Sequence, residues 1–312
     1  MKSFLLFAVV ALFLVISFSA SAILVDVAND EASKQLANSL GFLGRGAGWD
    51  VEGGTRYLAG SATLVCNNVQ NGAWILTAGH VATRGTTGLT FNILRFTFEP
   101  SYFDAFPRGT TSYLAGKCIT AIHDKVFYHA IQDVALIKLE HLVYDSTGEL
   151  VTPISFYYGS LSNKIILFGG AGETGIPSQA DPNGTGDFDG YKRCARGVYD
   201  FLMGSEGVMN FSRSVPIPGI GINGDSGGFA AIEVDGEVKQ CGVLVMLYGS
   251  GESADTSFEY LGYEPGFFDW MNNLIQENSN ITTPTPTPTI TATPTPTPTE
   301  HESAVAAWDI YQ

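Results

Sequence analysis

The sequence predicts an all-β protein, a barrel or a sandwich, on three observations. Apolar runs rich in β-branched and aromatic residues recur from residue 57 to about 247, at 61–65, 74–77, 89–98, 133–139, 165–168, 228–234 and 242–247. Glycine, asparagine and proline separate them, as turns separate short strands. Helical spacing is confined to 32–43, where it is weak, and to 265–275, where Phe267, Trp270, Met271, Leu274 and Ile275 form one packing stripe.

Taken in order, the chain starts with Lys2, an apolar run over 4–18 and the small-residue exit Ala20-Ser21-Ala22. That is the layout of a secretory signal peptide, residues 1–22; the run is short for a bilayer span, so cleavage is expected rather than an uncleaved anchor. Residues 23–50 read as an N-terminal extension or propeptide and 51–279 as the globular domain, with an internal boundary near 145–152. Past residue 279 the composition changes to threonine-proline repeats. Proline fixes φ and removes backbone donors, so 280–300 is expected to be an extended linker, a candidate for O-glycosylation. The tail 301–312, with Val305, Trp308, Ile310 and Tyr311, reads equally as a docking peptide or a frayed end.

A length of 312 residues with 45% hydrophobic residues supplies a large core. The formal net charge of −15 excludes nucleic acid as a natural partner and disfavours anionic membrane surfaces, because both would repel the chain. Cys66, Cys118, Cys194 and Cys241 make an even count in an exported chain, so two disulfides are expected, in any of three pairings. Their spacing is not that of a zinc site. The segment 181–189 alternates oxygen-bearing side chains as a calcium loop does, but Lys192 stands where a bidentate glutamate belongs, so it reads as a solvated loop. No metal or cofactor is expected. Asn183, Asn210 and Asn280 head glycosylation sequons.

Three local strings carry chemistry. Gly224-Asp225-Ser226-Gly227-Gly228 sets one hydroxyl in a tight, glycine-flanked turn, which suits an exposed nucleophile. A serine hydroxyl needs a base and the base needs an orienting group. His80 ends the apolar run Trp74-Ile75-Leu76-Thr77-Ala78-Gly79-His80, and Asp133 opens Asp133-Val134-Ala135-Leu136-Ile137-Lys138-Leu139. His123, His129, His141 and His301 have no such setting, and neither Asp104 nor Asp124 heads an apolar strand.

In their order and context these strings resemble the hallmarks of the chymotrypsin-like (trypsin-fold) serine peptidases, over roughly residues 54–278. The resemblance implies two antiparallel six-stranded β-barrels with the active site between them, His80 and Asp133 on the first, Ser226 on the second, and a closing C-terminal helix. It implies that Ser226 attacks a carbonyl, His80 moves the proton, Asp133 orients His80, and the N–H groups of Gly224 and Ser226 form an oxyanion hole. It also aligns Leu247-Tyr248-Gly249 with a serine-aromatic-glycine stretch whose serine normally bonds the aspartate, so leucine replaces that serine. Ile220 takes the pocket-base position, with Tyr248 and Gly249 along the wall; an apolar base argues against trypsin-like selection of Arg or Lys and for an apolar or small side chain. Glu259 falls in the segment that would form the opposite wall. Activation in animal members frees an ammonium to pair with the aspartate matching Asp225; Ile23 and a residue near 51–54 are the candidates, and the residues leave the choice open.

The expected function is therefore a secreted, monomeric serine endopeptidase acting on proteins or peptides. A catalytically impaired homologue that binds a partner through the same cleft is the alternative, motivated by Leu247 and the open activation site.

Overall fold

Two rings of antiparallel strands, six in each, close on themselves in the computed structural model, which describes residues 23–51, 54–83, 91–183 and 188–279. Residues 1–22, read as a signal peptide, and 280–312, read as a linker and tail, lie outside the described residues. The first barrel is built from β2 (Leu43–Trp49), β3 (Arg56–Asn68), β4 (Gly72–Ala78), β5 (Ile93–Thr97), β6 (Ile119–Tyr128) and β7 (Val134–Leu139), in the order β2-β3-β4-β7-β6-β5. The second uses β9 (Ile165–Gly170), β10 (Arg193–Met203), β11 (Glu206–Asn210), β13 (Phe229–Val234), β14 (Glu237–Tyr248) and β15 (Asp255–Tyr260), in the order β13-β9-β10-β11-β15-β14, with β13–β14 pairing closing the ring. A two-residue strand, β8 (Ser155–Phe156), lies parallel against β14. The expected all-β, double-barrel architecture with a C-terminal helix is what the chain forms.

Period-two alternation explains where that helix sits. Every residue of β4 and β7 is buried, so both faces need apolar partners. Ala73, Ile75, Ala135 and Ile137 point into the first barrel's core, while Trp74, Leu76, Val134 and Leu136 point the other way. Against that outer face lies the helix Phe267–Glu277, through Phe267, Met271 and Ile275. The stripe read from the sequence covers the back of the strands that carry the candidate site.

The N-terminal region departs from expectation. Residues 43–49 are not an extension but strand β2, so the first barrel begins before residue 51. The strand lacks an apolar run because three of its inward positions must be empty: a Cβ at Gly44, Gly46 or Gly48 would meet the rings of Phe98, Phe96 and Phe91 at 2.9, 2.7 and 2.5 Å. Upstream, β1 (Leu24–Val25) pairs with β12 (Gly219–Ile220) of the second half, and Ile23 is fully buried. The helix α1 (Asp30–Ser39) docks on β10 through Ser33 Oγ, which donates to the Cys194 carbonyl at 2.7 Å, and through Asp30, which pairs with Arg193 at 2.7 Å.

The expected disulfides are absent: all four cysteines are free thiols. Each belongs to a different apolar cluster, Cys66 under the C-terminal helix, Cys194 in the first barrel's core, Cys241 in the second's and Cys118 beside Tyr102 and Phe106. Burial raises every one of these thiols above its ordinary pKa, Cys118 to about 12, so they behave as small hydrophobes. Lys192 faces away from the 181–189 loop: its ammonium donates to the carbonyls of Leu43 and Phe98 at 3.0 and 2.9 Å, and burial lowers its pKa to about 8. Asp189 is taken by Arg193 at 2.7 Å, and residues 184–187 lie outside the described residues. No helix among the described residues is long and apolar enough to cross a membrane.

Candidate active site

Register brings His80 and Asp133 together. Strands β4 and β7 pair antiparallel with Ala78 opposite Val134, so the residues just beyond that pair, one leaving β4 and one entering β7, meet at the same end of the ladder. The chain after Ala78 turns into the short helix α2 (Gly79–Ala82), which lifts the imidazole to the surface. His80 Nδ1 lies 2.5 Å from Asp133 Oδ2, and the His80 main-chain N–H donates to Asp133 Oδ1 at 2.9 Å. The Gly79 N–H donates to the Asp133 carbonyl at 3.0 Å. Burial pushes the Asp133 carboxyl up, but the hydrogen bonds and charge of His80 with the Gly79 N–H outweigh it, and its pKa falls below the ordinary value.

Behind this pair stands Glu259, from β15 of the other barrel. Its Oε1 accepts the Asp133 main-chain N–H at 3.2 Å, while the neighbouring Gln132 side chain donates to the Tyr260 carbonyl at 2.9 Å. Glu259 therefore braces the strand entrance and is not a pocket wall. Burial raises its pKa, partly offset by the hydrogen bonds it accepts.

Ser226 sits on a turn whose backbone groups can be accounted for one by one. The Asp225 N–H donates to the Ile222 carbonyl, that of Gly227 to Leu244 and that of Gly228 to Asp225, at 2.9, 2.8 and 2.8 Å. The N–H groups of Gly224 and Ser226 have no acceptor among the described residues. Two unspent donors beside a serine hydroxyl are what an anion-binding concavity requires. Asp225 is buried inside the turn, its two oxygens accepting the N–H groups of Gly172 and Ile222 at 2.8 Å each. Burial drives its pKa up to about 7, opposed by those two donors and by Arg45 and Arg193. Gly227, at φ +86°, fits because a Cβ there would lie 2.1 Å from the Ser61 carbonyl oxygen and from Thr77 Oγ1.

His80, Asp133 and Ser226 border one open cavity of about 580 Å³. The Ser226 hydroxyl donates to the Val245 carbonyl at 3.1 Å, and no hydrogen bond joins it to His80 in this structure. Val245 is thus the β14 residue facing the nucleophile, not Leu247. The pairing of β14 with β15 shifts register between Leu244 and Met246, and this bulge turns the Val245 carbonyl toward the site. The rest of the cavity wall is mostly apolar, with Pro182, Ile222, Leu244, Met246 and Leu247, alongside Asn223, Asp225 and Thr256. Ile220, Tyr248 and Gly249 do not line it: Ile220 is fully buried with Leu24 behind the wall, and the Tyr248 hydroxyl donates to Glu206 at 3.0 Å. Thr256 Oγ1 accepts the Gly221 N–H at 2.8 Å, which fixes the inner end of the cavity. The sequence reading missed Val245 and Thr256; the interval from Ser226 to the strand was available, but the bulge that selects the facing residue has no local signature.

His129, by contrast, is enclosed by the rings of Phe267 and Trp270, with its Nδ1 accepting the Gln132 N–H, as a packed histidine. Among the described residues no cluster of histidine, cysteine or carboxylate side chains has the arrangement of a metal site. Compared with known proteins, the chain matches no protein-family model and no curated relative. What stands on the structure is a pair of closed six-stranded antiparallel β-barrels, an architecture consistent with a chymotrypsin-like fold.

Proposed function

We propose that the protein is a secreted serine endopeptidase that cleaves proteins or peptides through Ser226, His80 and Asp133. The observation that carries this reading is the His80–Asp133 pair on one side of a cavity whose other side presents Ser226 and the free N–H groups of Gly224 and Ser226. The reaction requires the Ser226 hydroxyl to turn from the Val245 carbonyl to His80 Nε2; in unliganded sites this bond is commonly unmade. The Ser226 oxygen then bonds to the substrate carbonyl carbon as its proton passes to Nε2, and the new oxyanion is held by the two N–H groups. Collapse breaks the C–N bond, and the leaving amine takes the proton from His80. Water repeats the sequence on the acyl-enzyme and restores Ser226. Asp133 keeps the Nδ1 proton in place and balances the imidazolium.

The cavity wall supports selection of an uncharged, apolar side chain of modest size, since Leu247 and Thr256 stand opposite each other on paired strands and no cation or free carboxylate lies at the inner end. A second reading, a binding homologue without activity, draws on the Ser226–Val245 hydrogen bond. Reaction of the purified protein with a fluorophosphonate separates the two. Covalent labelling that is lost in Ser226→Ala supports the peptidase; no labelling of the wild type leaves the binding homologue.

A further inference from the structure

The candidate oxyanion hole depends on three successive peptide planes. In a trans peptide the C=O and the following N–H point in opposite directions, so tying down a carbonyl aims the next N–H. The Asn223 carbonyl is held by the Glu173 N–H at 2.7 Å, which turns the Gly224 N–H the other way. The Asp225 carbonyl is held by the Gly228 N–H at 2.8 Å, which does the same for Ser226. Between them lies the Gly224 carbonyl. It sits at the barrel seam and takes its hydrogen bonds from the opposite barrel: Arg45 Nη1 of β2 donates to it, and Ser61 Oγ of β3 donates at 2.9 Å. Gly224 has φ +86° and no side chain to limit it, so without that anchor the middle plane is held only at its other end, where the Asp225 N–H donates to the Ile222 carbonyl at 2.9 Å.

We propose that Arg45 and Ser61 are positioning residues of the site: by holding the Gly224 carbonyl from the first barrel, they keep the N–H groups of Gly224 and Ser226 aimed at the reacting carbonyl oxygen. The inference rests on the peptidase reading above. Its support is geometric. Arg45 is 2% exposed, lies over the Phe188 ring at 5.1 Å, and is faced by Asp225, Glu173 and Tyr102. A buried guanidinium needs fixed partners, and the turn supplies them in the Gly224 carbonyl and the Asp225 charge. Ser61 is committed in both directions, because its Oγ also accepts the Ala171 N–H at 3.0 Å and its own N–H donates to the Ser226 carbonyl at 2.7 Å. The nucleophile's turn is therefore clamped by the barrel that carries His80.

The test is the kinetics of fluorophosphonate labelling, resolved into a half-saturating concentration and a limiting rate, for wild type, Arg45→Met and Arg45→Lys. Loss of aim in Arg45→Met lowers the limiting rate about 100-fold, with half-saturation within about threefold, as expected for weakening an oxyanion donor. Lysine retains a charge and a donor, so Arg45→Lys recovers about tenfold of that loss. A wild-type rate in Arg45→Met, or a lysine variant no better than methionine, overturns the inference. Should Arg45→Met fail to fold, Ser61→Ala carries the test: an about tenfold lower limiting rate supports the proposal and an unchanged rate overturns it. A wild-type protein that takes no label ends the peptidase reading and this inference together, whereas a labelled wild type with unaffected variants ends the inference alone.

Discussion

The two halves of the candidate site are built to different standards. The His80–Asp133 half is open, with side chains 43% and 37% exposed, and is held by a short helix, three hydrogen bonds and the brace of Glu259. The Ser226 half is a closed turn in which Asp225 is buried and both of its carboxylate oxygens, and the carbonyls of residues 223–226, are engaged. The difference follows from what each half has to do. An imidazole that transfers protons has to turn a ring nitrogen toward substrate, and solvent contact costs it little. Donors that stabilise a developing charge contribute most when they need not reorganise at the moment of reaction, which favours a rigid, dry turn.

Substitutions can break or sharpen that contrast. The largest effect is expected from Ser226→Ala, which removes the nucleophile and should lower hydrolysis of a peptide substrate by at least ~10⁴-fold while leaving the thermal midpoint nearly unchanged. Asp133→Asn comes next: the geometry survives but the wrong His80 tautomer is favoured, and kcat should fall about 10⁴-fold with a small change in KM. On the closed side Gly224→Ala is expected to do two things at once. A Cβ there would approach Arg45 Nη1 at 2.9 Å and the Gly172 Cα at 3.0 Å in a left-handed backbone, so activity should fall about 100-fold and stability by about 1–2 kcal/mol, read from urea unfolding. If Gly224→Ala left stability untouched, the turn would not be the rigid half.

The smallest effect is a pH slope. Burial raises the Glu259 carboxyl, so its ionised form opposes folding; that cost is absent below the ordinary glutamate range and grows as pH rises through the raised value. Wild-type stability should decline over that window, and Glu259→Gln, which keeps an acceptor for the Asp133 N–H, should flatten the decline in thermal midpoints measured from about pH 4 to 8.

How much could be read from the chain depended on whether a feature is local. The apolar strings of β4, β7, β9, β13 and β14 announce themselves, and the strings around His80, Asp133 and Ser226 each end or begin one of them. Strand β2 stayed hidden because its glycines are complementary to phenylalanine rings on β5 and beside it, a fact about through-space packing rather than periodicity. The cysteine count suggested bridges, yet assignment of each thiol to a separate cluster is decided by topology. The cavity wall was misplaced along β14 for a similar reason: a one-residue bulge exchanges which side chain and which carbonyl face the seam, so Val245, Thr256 and Arg45 acquire their positions only from the folded register.

The seam carries one more lesson, drawn from Lys192. Its ammonium, on the residue just before β10 of the second barrel, ends among first-barrel carbonyls, as Arg45 of the first ends on a second-barrel carbonyl. Each half thus lends the other a buried cation that donates its hydrogen bonds across the border. Cut the polypeptide in the connection near 145–152 and both fragments inherit an orphaned charge, so neither would be a viable miniature protein, and heat or urea should melt the pair in a single step.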